Sequence, residues 1–129
     1  MPIISFSEDD LLRGKIVEPA WYSLLIKATS ESLSKDGDST NYLVETTILK
    51  NADNGSEDFA GVPIELRFNS KAKSFSVGFF NALGVDVKPN ARYEFDAAVG
   101  KTIDAFIETD TWQGRLKNQV NHKYRTPRS

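Results

Sequence analysis

Ser74-Phe75-Ser76-Val77-Gly78-Phe79-Phe80-Asn81-Ala82-Leu83-Gly84, residues 74–84, is the stretch on which the fold turns. On either side of it the chain alternates apolar and polar residues, the two-residue period of a half-buried strand. Within it that period stops. Phe75, Phe79, Phe80 and Leu83 fall at i, i+4, i+5 and i+8, along one side of a helix. Ser74 stands where an N-cap is expected, and Gly84 where a helix ends. Internal Gly78 costs about 1 kcal/mol against alanine, so this helix needs tertiary packing, and its phenylalanines read as a plug for a core.

Three strands precede the helix. Ala20–Leu33 is rich in aromatic and branched residues, with Tyr22, Leu24, Ile26 and Ala28 on the core side and Trp21, Ser23, Leu25 and Lys27 on the other. Ser34–Asn41, with Asp36-Gly37 at its centre, is turn chemistry throughout. Tyr42–Lys50 is the second strand, facing inward through Tyr42, Val44, Thr46 and Ile48. After an acidic loop, Val62–Asn69 forms the third, with Val62, Ile64, Leu66 and Phe68 inward and Glu65, Arg67 and Asn69 outward.

Beyond the helix, Val85–Val99 is irregular, with a short extended piece at Tyr93–Phe95. Lys101–Glu108 is the fourth strand, with Ile103, Ala105 and Ile107 inward and Phe106 outward. Thr109–Gly114 is a hairpin loop carrying Trp112, and Arg115–Tyr124 is the fifth strand, with Leu116, Asn118 and Val120 on one face. The fold class is therefore all-β with one capping helix. The order strand, strand, strand, helix, strand, strand is that of a five-stranded OB-type Greek-key barrel, whose helix closes one end. An SH3-like barrel and a small β-sandwich are the alternatives. Residues 20–125 form the domain; residues 1–19 are an arm or a short helix capped by Ser7, and residues 126–129 a mobile C-terminal end.

Composition bounds the function. The chain has 129 residues, 40% of them apolar and 26% charged, the make-up of one globular domain. With no cysteine, disulfides, thiolate zinc sites and cysteine nucleophiles are excluded. No apolar run approaches the roughly 20 residues of a membrane-spanning helix, so no membrane partner is expected, and the acidic N-terminus does not read as a signal peptide. The lone histidine, His122, reads as a surface residue. No metal-binding, phosphate-loop or catalytic motif occurs, which points away from an enzyme and from any cofactor or metal.

The net charge is −2, but it is unevenly spread. Met1–Asp58 holds eleven acids against five bases, whereas Thr111–Ser129 holds five bases and no acid. A phosphate chain senses potential within about 10 Å at moderate salt, so a basic segment can bind it although the whole molecule is acidic. Single-stranded nucleic acid needs a basic groove for the phosphates and aromatic faces for the bases. In an OB barrel that surface spans strands two and three and the loops joining one to two and four to five. Those positions select Lys35, Arg67, Trp112, Arg115 and Lys117, joined by Trp21 and Lys27 on the outer face of strand one and by Phe106, Lys123 and Tyr124. The alternative is an interaction module that binds protein and no nucleic acid.

Ala20-Trp21-Tyr22, Ser34-Lys35-Asp36-Gly37, Asn41-Tyr42-Leu43-Val44, Phe79-Phe80-Asn81-Ala82-Leu83-Gly84, Val99-Gly100-Lys101, Trp112-Gln113-Gly114 and Asn118-Gln119-Val120 together give the chain a family likeness. Over most of residues 20–127 it resembles phage-encoded OB-fold proteins that bind single-stranded DNA. The resemblance implies sequence-tolerant coating of single-stranded DNA during phage replication or recombination, in the cytoplasm of an infected bacterium. It implies replication or recombination proteins as further partners, and a monomer or homodimer. One departure is the basic ending Lys123-Tyr124-Arg125-Thr126-Pro127-Arg128-Ser129, where bacterial single-strand-binding proteins carry an acidic tail that recruits partners.

Overall fold

The computed structural model describes residues 3–7, 11 and 15–127, and of Trp112 the backbone alone. Five strands, β1 (Ala20–Leu33), β2 (Thr40–Asn51), β3 (Pro63–Asn69), β4 (Thr102–Trp112) and β5 (Arg115–Arg125), form one antiparallel sheet in the order β3-β2-β1-β4-β5. One helix, α1 (Lys73–Ala82), lies between β3 and β4, and a short 3-10 turn spans Phe95–Ala98. The sheet is not closed into a barrel. β3 and β5 are its two ends, and no ladder joins them.

Alternation explains which side of the sheet is covered. Tyr22, Leu24 and Ile26 of β1, Val44, Thr46 and Ile48 of β2, Ile64, Leu66 and Phe68 of β3, and Ile103, Ala105 and Ile107 of β4 are all buried, as their two-residue period requires. α1 adds Phe79 and Phe80, whose rings meet Phe68, Phe95 and Tyr124 at centroid distances of 5.0 to 5.8 Å. Each such side chain contributes about 1.5–3 kcal/mol by leaving water, which is why α1 survives Gly78. These rings also fill the space between the unpaired ends of the sheet. Phe68 of β3 stands 6.1 Å from Tyr124 of β5, and α1 lies against both strands.

The sheet bends at irregularities. β1 shifts register between Ser23 and Leu24 and between Ile26 and Ala28. On β5, Tyr124 pairs with Ala105 and Val120 with Ile107, so residues 121–123 face only Phe106. His122 sits in that bulge with φ 55°, a left-handed conformation that few non-glycine residues adopt. The lead-in packs against the same strand. Val17 is buried, its N–H donates to Asn118 Oδ1 (3.0 Å), and Asn118 Nδ2 donates to the Lys15 carbonyl (2.9 Å).

Several expectations need correction. Ser74 does not cap α1: the helix begins two residues earlier, at Lys73, with Ala72 at the N-cap and no side-chain bond there. Phe75 is not part of the plug but 46% exposed, because the buried side of a helix starting at Lys73 is centred on Phe79, Phe80 and Ala82. Residues 109–112 are strand, not loop, since the turn needs only Gln113 and Gly114, both at positive φ (50° and 76°) as in a type I′ hairpin. Leu116, grouped with Asn118 and Val120 on one face, is 59% exposed because the end of the β4–β5 hairpin runs beyond the core. Of the short extended piece expected at Tyr93–Phe95, Glu94 has an extended backbone, whereas Phe95 already opens the 3-10 turn. The short helix expected after Ser7 falls largely outside the described residues, as do residues 128 and 129. Among the described residues, no helix is long and apolar enough to cross a membrane.

Candidate nucleic-acid interface

A cleft of about 830 Å³ runs across the outer faces of β1, β2 and β3, with β5 and the lead-in as its far wall. It follows from the strand periods. Lys27, Glu45, Thr47, Glu65 and Arg67 are the outward partners of the buried set, and Leu116–Val120 comes over them from the β4–β5 hairpin. Four cations line the cleft: Lys15 from the lead-in, Lys27 from β1, Arg67 from β3 and Lys117 from β5. Two carboxylates oppose them, Glu45 and Glu65, which are direct cross-strand partners. Like charges in that position repel. Arg67 Nη2 offsets this by pairing with Glu65 Oε2 at 2.7 Å. Lys15 also places its ammonium 5.2 Å from the centroid of the Phe59 ring.

His122 also lines the cleft. Its Nδ1 lies 2.9 Å from the Tyr124 hydroxyl. Burial pushes the imidazole pKa below its ordinary value and the Tyr124 phenol above its own, so both are uncharged at neutral pH.

A second group of sequence-predicted residues gathers on the outer face of β1, β4 and β5. Trp21 and Phe106 are cross-strand partners in edge-to-face contact, 5.7 Å between centroids. Both rings are already engaged by cations. The Arg125 guanidinium lies 4.3 Å from the Trp21 ring centroid, and Lys123 Nζ 5.5 Å from that of Phe106. Arg125 is held there by Asp53 (Nη2 to Oδ1, 2.8 Å) and by the buried Asp104 (Nε to Oδ2, 3.4 Å). Its hydrogen bond to Asp53, seconded by the one to Asp104, raises its pKa. Lys123 also pairs with Glu108 at 3.7 Å.

Of the ten residues selected from sequence, the structure thus brings Lys27, Arg67 and Lys117 together in the cleft, and Trp21, Phe106 and Lys123 together beside it. Lys35 is exposed in the β1–β2 turn, and Arg115 is exposed where β5 begins, opposite Trp112. Tyr124 belongs to neither group: its ring packs on Phe68 and Phe79. Sequence reasoning missed Lys15, whose place depends on the lead-in docking on Asn118, and Asp104, whose inward-looking burial lies on the outward period of β4.

A further cavity of about 660 Å³ lies between the far end of the β1–β2 hairpin, α1 and residues 87–96. Its rim carries Glu31, Glu94 and Asp96 against Lys73 and Lys88, and Lys88 is taken up by Asp86 at 2.6 Å. That sign disfavours a polyanion, so the cleft is the better candidate. Among the described residues no group of three or more His, Cys, Asp or Glu is placed to hold a metal ion. No family model matches the chain, and no curated protein matches its sequence.

Proposed function

We propose that this protein binds single-stranded DNA without sequence preference, on an OB-type arrangement whose last ladder, β3 to β5, is replaced by side-chain packing. The strand order, with β1 between β2 and β4 and a helix between β3 and β4, supports that reading of the fold. The observation that carries the function is the convergence of Lys15, Lys27, Arg67 and Lys117 on one cleft in a chain of net charge −2. They come from four separate segments, so their meeting is a property of the fold and not of a basic run. Such a groove tracks phosphates, and Arg115 beside the hairpin turn extends it. Stacking falls to Trp112, next to that turn, with Trp21 and Phe106 in reserve behind their cations. Phage replication or recombination, with its attendant proteins, is the setting the resemblance implies.

Charge reversal tests this. Lys27→Glu with Lys117→Glu should weaken binding to oligo-dT and to mixed-sequence oligonucleotides alike, by tenfold or more at low salt, in a fluorescence anisotropy titration. Unchanged affinity removes the cleft from the interface. The protein-interaction module is the second reading, favoured by Glu45 and Glu65 facing each other on the cleft floor, where phosphate is repelled. It predicts no response to any oligonucleotide.

A further inference from the structure

We infer that Phe75 and His122 form a base-stacking platform beside the basic cleft. His122 lies between two phenylalanines here. Phe68 belongs to the core, and the His122 imidazole lies 5.3 Å from it at a tilt of 50°; Phe75 stacks on His122, 4.3 Å between centroids with the planes 19° apart. The stacked pair reaches solvent, since Phe75 is 46% exposed. A base laid on Phe75 would be the third ring of that stack.

Two independent features set this pair apart from an ordinary exposed phenylalanine. His122 lines the same cleft as Lys27, Arg67 and Lys117, so the stacked pair adjoins the cations. His122 is also held at φ 55° in the β5 bulge, a conformation that costs free energy and turns its ring toward α1 instead of along the strand. Three other aromatic candidates are already engaged: Arg125 covers Trp21, Lys123 approaches Phe106, and Tyr124 packs on the core. Phe75 adds to Trp112 a second aromatic surface, on His122 beside the cations.

The inference rests on the nucleic-acid reading, and its test separates the two. Binding of oligo-dT and of an abasic strand of the same length is measured by anisotropy for the full chain and for Phe75→Leu, which keeps apolar bulk but has no π face. The variant should bind oligo-dT about 5- to 150-fold more weakly, the span of one lost stack, and bind the abasic strand as the native protein does. Phe75→Trp should retain affinity, and oligo-dT but not the abasic strand should quench its added fluorescence. Equal affinity of Phe75→Leu and native protein for oligo-dT overturns the platform and leaves the cleft standing. An equal loss on both strands overturns it too, since a stacked base would then not be what Phe75 contacts. A native protein that binds neither strand overturns the reading beneath it.

Discussion

Asp104 is 1% exposed, with its carboxylate between the Ser23 hydroxyl, which donates at 2.8 Å, and the Arg125 guanidinium. A buried charge is tolerated only when paired, so Arg125 is a structural residue before it is a surface cation. Arg125→Ala should cost about 1–3 kcal/mol in urea denaturation, because the carboxylate loses the guanidinium and is left with the Ser23 hydroxyl among the described side chains. A loss within error would mean that water replaces the guanidinium. His122 carries a pH signature. Its native pKa is lowered by burial from 6.5, so the unfolded chain binds more protons between the two values. Its contribution to stability is complete above about 6.5 and is lost as pH falls through the native value. The stability advantage of the native protein over His122→Asn, which tolerates the same φ, should therefore shrink from pH 7.5 to pH 5. An advantage that is constant or grows in acid contradicts this burial. Neither feature was legible in sequence. Asp104 sits on the outward period of β4, and nothing in residues 121–123 announces a bulge.

At the scale of elements, the two-residue period located every strand and, within the strands, every buried residue but Ser23 and Asp104, because burial on one face of a pleat leaves that period in the sequence. Ends were less legible. β4 outruns its expected end at Glu108 because Gln113-Gly114 alone makes the turn, and the polar residues 109–112 resemble a loop when the hairpin leaves the core. α1 shows the same limit. Its apolar spacing marked the helix, but Phe75 lies at the edge of that stripe, where spacing cannot separate core from surface. Gly78 is exposed within α1, and a Cβ there would meet nothing within 4 Å. Gly78→Ala should stabilise the protein by about 0.5–1 kcal/mol, visible as a higher Tm, with no change in binding. A lower Tm would mean that the glycine answers to a close approach absent from this packing.

At the scale of the molecule, function depends on where charge lies more than on its total. Eighteen acids and sixteen bases leave the surface negative, yet the cleft carries four cations against two carboxylates. The sequence showed a basic C-terminal segment but not its partners, since Lys15, Lys27 and Arg67 reach the cleft only through strand pairing and the docked lead-in. The open β3 and β5 ends are likewise invisible in a strand count, because closure depends on whether rings or a ladder fill the gap. The most direct check on the central claim is the salt dependence of oligo-dT binding by the native protein. Each phosphate held releases counterions and contributes a slope of about −0.7 in log affinity against log salt, so four cleft cations predict a slope of roughly −3. Binding that tightens in this way as salt is lowered is the expected result; no binding at low salt, or binding indifferent to salt, contradicts the account.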